Sequence, residues 1–200
     1  MTASTSVSAG ASERSTLTTM RIALLTPIVC AALAPASAFA IDYLSAEQAQ
    51  HLMFPEADAF VAHDLAFDAA QLQQLDAQGV RSRSARWRVL AAQHAGATLG
   101  YVVIDEVIGK FELITYAVGL TLDGTVKQVE VLAYRESHGQ EVRLAAWRRQ
   151  FVGKSAAAPL RVGEDIANIS GATLSCTHVT EGVRRIVAVV GAARRQGMLS

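Results

Sequence analysis

The sequence is poor in cysteine and in charged residues, and each shortage excludes a class of protein. Cys30 and Cys176 are the two cysteines among 200 residues, and only Cys176 follows residue 40. A disulfide framework is therefore excluded for the chain after residue 40. Charged residues make up 18% of the chain, with a formal net charge of zero. Nucleic-acid binding is not indicated, because a domain of that kind carries a basic patch or stripe.

The first 40 residues differ in composition from the rest and are predicted to be a leader. Residues 1–19 are rich in Ser, Thr and Ala, and Met20-Arg21 then precede the uncharged stretch IALLTPIVCAALAPASAFA. One positive charge, an apolar stretch and a final Ala-Phe-Ala are typical of a secretory signal peptide, cleaved after Ala40. An uncleaved membrane anchor is the alternative, since the stretch is close to the ~20 residues that span a bilayer. The prolines and small residues of the stretch favour cleavage.

Residues 41–200 are predicted to form a single domain, since that length supports one hydrophobic core. The leader places this domain in the periplasm or another extracytoplasmic space, with membrane association if the leader is retained. A lone Cys176 in that compartment is expected to be a small buried hydrophobe rather than a reactive thiol.

Two helices are predicted at the start of this domain. The segment from Ser45 to Gln48 is a capping box, and apolar residues at helical spacing follow it until Pro55. A second helix is predicted over 68–77, with Gly79 as its stop signal.

The period of the apolar residues then changes to two, which predicts strands. The predicted strands are 86–92, 98–107, 111–122 and 126–134. Asp123-Gly124 is a strong hairpin signal between the last two. They are expected to form an antiparallel meander.

A helical stretch is predicted near 141–151, with Leu144, Trp147 and Phe151 on one face. A loop is predicted over 153–176.

The last helix is predicted to start near Thr177, with its apolar stripe inward and Glu181, Arg184 and Arg185 facing out. The stripe consists of Val179, Val183, Ile186 and Val190. Helices flanking an antiparallel sheet of about four or more strands predict an α+β fold.

The segment SGATLS at 170–175 places hydroxyl side chains around a Gly-Ala pair, just before the last predicted helix. Helix N-termini hold phosphate well, because their first N–H groups are unpaired and the helix dipole is positive there. Gly171 and Ala172 would let a ligand approach the backbone, and the Thr173 hydroxyl could carry a phosphate ester. From the residues alone, a capped turn of small residues is the alternative.

Four segments in this order resemble the FMN-binding domain family, which includes the C subunit of the Na⁺-translocating NADH:quinone reductase and the G subunit of the Rnf complex. SGATLS resembles the family signature S/T-G-A-T-x-S/T. YRESHG at 134–139 resembles its E-x-x-G loop, and WRRQFVGK at 147–154 its aromatic-x₃-aromatic-x-G-K segment. The hairpin at 109–132 precedes that loop as in the family. The resemblance spans roughly residues 98–190 and is greatest to small exported members.

This resemblance implies a covalent FMN, attached through its phosphate to Thr173 by a Mg²⁺-dependent FAD:protein FMN transferase that uses FAD as the donor. Backbone amides near the motif would hold the phosphate, Lys154 would balance negative charge, and the loop after the hairpin would line the flavin ring. The implied cofactor-binding residues are Thr173, Ser170, Gly171, Ala172, Leu174, Ser175, Lys154, Glu136, Ser137, His138 and Gly139. Capping of the turn by Ser170 and Ser175, and a solvated Lys154, are the alternatives.

One position departs from the family pattern. Many members carry an acid three residues before the motif serine, and Ala167 occupies that position here. Asp165 and Asn168 lie nearby and are candidates to replace the acid.

The resemblance implies an exported electron carrier that relays electrons to or from a membrane redox protein, rather than a substrate-converting enzyme. A flavin-free domain of the same fold, acting as a binding or assembly module of a membrane complex, is the alternative. No metal site is assigned, because the spacing between Cys176 and His178 is poor for a structural zinc site.

Overall fold

One antiparallel sheet organises residues 41–199, which are the residues that the computed structural model describes. Its strands are β1 (Ile41–Asp42), β2 (Ala59–Ala66), β3 (Arg86–His94), β4 (Ala97–Ile108), β5 (Leu113–Thr121) and β6 (Val126–Tyr134). They are arranged in the order β1-β6-β5-β4-β3-β2, with every pairing antiparallel. The leader predicted for residues 1–40 lies outside the described residues.

Strands β3 to β6 are the four strands that the alternation of apolar residues predicts, and β2 is an additional one. Strand β2 pairs with β3 along its whole length, from Ala59 opposite Gln93 to Ala66 opposite Arg86. Its sequence, AFVAHDLA, does not alternate between apolar and polar residues, so it lacks the pattern that marks a half-buried strand. Its partner strand determines its conformation.

The described residues contain four α-helices, α1 (Ala46–Met53), α2 (Ala69–Ala77), α3 (Ala145–Arg148) and α4 (Thr173–Arg195). The predicted capping box at α1 is confirmed. The Ser45 hydroxyl accepts a hydrogen bond from the Gln48 backbone amide, and the Gln48 side-chain oxygen accepts one from the Ser45 backbone amide. None of the helices within residues 41–199 is both long and apolar enough to cross a membrane.

The helical stretch predicted near 141–151 is broken into α3 and two short 3₁₀ turns, at Gln140–Arg143 and Arg149–Phe151. Leu144 has extended backbone angles between the first two pieces, and its side chain is 57% exposed. The prediction that Leu144 shares an inward face with Trp147 and Phe151 is therefore wrong. Trp147 and Phe151 themselves are buried.

Helices cover both faces of the sheet, and the alternation of side chains along each strand separates two cores. Val118 of β5 belongs to the large core beneath α4, and its neighbour Ala117 belongs to a smaller core beneath α1. The predicted stripe of α4, Val179, Val183, Ile186 and Val190, is fully buried. The α+β prediction is confirmed.

Arg185 was predicted to face solvent, and this is wrong. It is only 6% exposed, and its Nη2 lies 3.6 Å from Oδ2 of Asp105 on β4. The close approach of α4 to the sheet explains the burial. A Cβ atom at Gly182 would lie 2.0 Å from the Tyr116 hydroxyl oxygen, so only glycine fits there.

Candidate functional site

A cavity of 820 Å³ lies where the N-terminus of α4 meets the loop after β6 and the turn between β4 and β5. Residues 110–111, 136–141 and 170–175 line it. Ten of the eleven predicted cofactor-binding residues are among these, and Lys154 is the exception. The fold thus brings together the two predicted segments that lie more than thirty residues apart, while their role in binding stays a prediction.

The motif begins with a tight turn that leads directly into α4. The Ala172 amide donates to the Ile169 carbonyl at 3.0 Å, and Gly171 within this turn has a φ of +84°. A Cβ atom at Gly171 would meet nothing within 4 Å, so the backbone angle, and not a lack of space, favours glycine. The structure shows a conformational reason for glycine at this position, and the expected role of Gly171 in giving a ligand access to the backbone stays a prediction.

Helix α4 begins at Thr173, four residues before the predicted start at Thr177. The sequence predicted a loop over 153–176, whereas the turn at 169–172 starts the helix within the motif. Ala172 occupies the N-cap and offers no side-chain cap. The first N–H groups of α4 therefore have neither an intrahelical partner nor a capping side chain.

Thr173 is exposed at the edge of the cavity, at the first helical position. Its Oγ1 accepts a hydrogen bond from Nδ2 of Asn168 at 3.1 Å. Because Asn168 is the donor, the threonine's own proton is not used in this contact. Ser170, three residues before Thr173, and Leu174, directly after it, are exposed as well.

Ser175 differs from its neighbours because it is 4% exposed and bound to the sheet. Its Oγ lies 3.1 Å from the Tyr134 hydroxyl, which donates its proton to the His138 carbonyl at 2.5 Å. Ser175 is therefore the donor to Tyr134, and the predicted donation by its hydroxyl to a phosphate is corrected. Burial raises the pKa of Tyr134, which keeps this phenol protonated.

Glu136 holds the turn between β4 and β5. Its Oε1 accepts the backbone N–H groups of Lys110, Phe111 and Glu112, at 2.6 Å from Phe111 and 2.9 Å from Glu112. A Cβ atom at Gly109 would lie 2.6 Å from the same oxygen, so glycine permits the close approach. One carboxylate oxygen is thus occupied by the protein backbone and shapes this wall of the cavity.

The rest of the 136–139 loop presents polar side chains to the cavity. Ser137 Oγ lies 2.9 Å from His138 Nδ1, and both residues are exposed. Gly139 has a φ of +86°, and a Cβ atom there would lie 2.7 Å from the Tyr134 hydroxyl oxygen. Glycine is required at this position by both its conformation and its surroundings.

Lys110 and Phe111 are cavity-lining residues that sequence reasoning missed. Phe111 is 75% exposed, and Lys110 Nζ lies 4.8 Å from the centre of its ring. The available signal was an aromatic residue in a short turn between two strands, beside Gly109 and Lys110. Of the described residues that line the cavity, Lys110 alone is a lysine or arginine.

Lys154 does not line the cavity, and its predicted position at the cofactor is corrected. Its Nζ lies 2.9 Å from Asp165 Oδ2, and both side chains are largely buried. Asp165 also accepts the amides of Leu160 and Arg161. Burial acts to raise the pKa of Asp165, but the backbone hydrogen bonds from Arg161 and Leu160 and the pairing with Lys154 together lower it. Both oxygens of Asp165 are therefore engaged by Lys154 and by backbone amides.

Ala167 is fixed through its backbone. Its amide donates to Gln150 Oε1 at 2.8 Å, and its carbonyl accepts from Trp147 Nε1 at 2.8 Å. Both partners come from the segment around α3, and Trp147 is buried edge-to-face against Phe151. The segment that leads to the motif is thereby attached to the core.

Cys176 is fully buried within the large core, as predicted for a packing residue, and burial raises the pKa of its thiol. Nδ1 of His178, two residues further along α4, lies 2.6 Å from the Ile108 carbonyl oxygen. His178 therefore connects α4 to the end of β4 beside the cavity.

Comparison with known proteins finds a family match for the segment that contains this cavity. Residues 109–188 match the family model of the FMN-binding domain. All three lining segments, together with Asn168, lie within the match, and the resemblance seen in the sequence motifs is confirmed. No curated protein matches the sequence. Among solved structures, NqrC of Shewanella oneidensis is similar, with 16% identity over 79% of this chain and 82% of that chain and a TM-score of 0.46.

Proposed function

We propose that this chain is an exported flavoprotein that holds FMN covalently on Thr173 and relays electrons to or from a membrane redox protein. The position of Thr173 carries the proposal. Its hydroxyl is exposed at the first position of α4, on an 820 Å³ cavity, within the segment that matches the FMN-binding domain.

The residues around the cavity suit FMN. Small-molecule sites commonly enclose about 300–1,000 Å³ and combine apolar walls with a few polar groups. Phe111 and Leu174 are exposed apolar residues of the lining, and Ser137 and His138 are polar ones. FMN, when bound, supplies the reversible uptake and release of electrons.

Some groups of the protein would contact FMN directly, and others would position those that do. The unpaired N–H groups of the first turn of α4 are aligned with the helix dipole and would bind the phosphate. Lys110 carries the positive charge of the lining, opposite in sign to the phosphate and to a reduced flavin. Because Glu136 uses one oxygen to bind three backbone amides, it would position the turn that holds Lys110 and Phe111.

Covalent attachment suits a protein outside the cytoplasm, where a cofactor that diffused away would not readily be replaced. The proposed maturation partner is an FAD:protein FMN transferase acting with Mg²⁺ and FAD. Export depends on the leader proposed for residues 1–40, and retention of that leader would place the carrier at the membrane.

The full chain, co-expressed with the transferase, tests this proposal on a denaturing gel. Covalent flavin fluorescence is expected from the unaltered chain and none from Thr173→Ala. Thr177→Ala is the matched control, because Thr177 lies one turn further along α4 and does not line the cavity. Fluorescence of Thr173→Ala would disprove the attachment site, and absence of fluorescence from the unaltered chain would favour a flavin-free module.

A further inference from the structure

We propose that Asn168 is a positioning residue for flavin attachment, because its side-chain amide orients the Thr173 hydroxyl that receives the FMN phosphate. This inference rests on the proposed function. It assigns a role to a residue that does not line the cavity and that precedes the SGATLS motif.

The direction of the hydrogen bond is the first step. Nδ2 of Asn168 donates to Oγ1 of Thr173 at 3.1 Å. A threonine side chain on a helix divides between two χ1 rotamers. The bond from Asn168 selects one of them, and it leaves the hydroxyl proton free to be removed.

The second step is the rigidity of the segment that carries Asn168. The backbone of Ala167 is bound on both sides, by Gln150 and by the buried Trp147. On the other side, the Ile169 carbonyl accepts the amide of Ala172, the N-cap of α4. Asn168 is thus placed between two anchored neighbours, so its amide is held close to the first residue of the helix.

The third step is the chemistry that this orientation serves. Oγ1 of Thr173 forms a bond to the phosphorus of the flavin-side phosphate of FAD. The pyrophosphate P–O bond of FAD breaks, AMP leaves with its electron pair, and the hydroxyl proton passes to a base of the transferase or to water. Orientation of a nucleophile accelerates such a displacement, because the reacting atoms already have the required geometry.

The alternative candidate near the motif does not fit this role. Asp165 is bound by Lys154 and by the amides of Leu160 and Arg161. Asn168 is the neighbour of Ala167 that contacts the acceptor hydroxyl. The family's acid at position 167 would be an acceptor of hydrogen bonds, whereas Asn168 acts as a donor.

The test uses the full chain produced without the transferase and then incubated with purified transferase, Mg²⁺ and FAD. We expect Asn168→Ala and Asn168→Leu to lower kcat for covalent labelling by roughly three- to tenfold, as the loss of one neutral hydrogen bond implies. KM for the protein acceptor and the melting temperature are expected to stay unchanged. Glu164→Gln is the control, because Glu164 is an exposed residue of the same loop, with its one ion pair to Arg161.

Labelling of Asn168→Ala at the unaltered rate would overturn the inference and leave the proposed function intact. An increase in KM without a change in kcat would also overturn it, since Asn168 would then be a docking contact for the transferase. Labelling of Thr173→Ala under the same conditions would instead overturn the attachment site itself.

Discussion

Oε1 of Glu136 lies 2.6 Å from the backbone nitrogen of Phe111, across the sheet edge between the loop after β6 and the turn between β4 and β5. The same oxygen accepts the amides of Lys110 and Glu112. A single carboxylate therefore fixes the wall of the cavity that carries an exposed aromatic ring and a positive charge. Glu136 of the E-x-x-G segment therefore stabilises a turn that lies about 25 residues away in the sequence.

Replacing Glu136 by alanine is expected to lower the free energy of unfolding by about 2–3 kcal/mol, because three backbone donors lose a charged acceptor that is mostly buried. Urea unfolding of the apo chain measures this. Glu136→Gln retains an acceptor oxygen and is expected to cost less. Glu112→Ala, in the same turn but with an exposed side chain, is the control. Equal stability of Glu136→Ala and Glu112→Ala would contradict this account of the turn.

Replacing Gly171 by alanine is expected to cost about 1–2 kcal/mol of stability, because its left-handed backbone angle disfavours a Cβ atom although the space is open. Gly163 is a matched control with a φ of +83°, open space, and a position outside the cavity. Both variants should lose similar stability in thermal unfolding, whereas only Gly171→Ala should slow flavin attachment. Equal attachment by both would show that the turn at 169–172 does not position Thr173.

Replacing Lys110 by glutamine is expected to lower the midpoint potential of the bound FMN, because a nearby cation stabilises the negative charge of the reduced form. The expected shift is roughly 10–30 mV, equivalent to about 0.5–1.4 kcal/mol for a two-electron couple. Spectroelectrochemistry measures it, with Lys110→Arg expected to retain the potential. Lys154→Gln should leave the potential unchanged, since Lys154 pairs with Asp165 outside the cavity. A lower potential in Lys154→Gln, with no change in Lys110→Gln, would instead show that Lys154 stabilises the reduced flavin.

The pair of Lys154 and Asp165 predicts a decrease in stability in acid. The pKa of Asp165 in the folded chain lies below its ordinary value of 3.8, so this carboxylate stabilises the fold above that pH. Its contribution is expected to be lost as the pH falls below about 4, because the unfolded chain then binds a proton more readily. Asp165→Asn should flatten the stability profile between about pH 4 and pH 2 in urea titrations. A profile as steep as that of the unaltered chain would assign the acid sensitivity to other carboxylates.

Local sequence signals were sufficient for much of the fold. The capping box at Ser45, the alternating strands β3 to β6 and the hairpin at Asp123-Gly124 all depend on residues close together in the chain. The motif at 170–175 and the loop at 136–139 were likewise recognisable as short segments. The side chains of both segments line the cavity.

Other features depended on partners distant in the sequence. Strand β2 follows from pairing with β3, and the burial of Arg185 follows from the close approach of α4 to Tyr116 at Gly182. The local sequence predicts neither the strand nor the buried arginine, because each depends on contacts with another element of the fold.

The site shows the same division. The sequence by itself determined which threonine stands in the Gly-Ala-Thr motif, and that it precedes an apolar helical stripe. Only the tertiary structure decided that Lys110, and not Lys154, lines the cavity, that Ser175 binds Tyr134, and that Asn168 holds the Thr173 hydroxyl. The physical reason is that a side chain's role depends on the groups it meets. Those groups come from chain segments that only the folded sheet and α4 bring together.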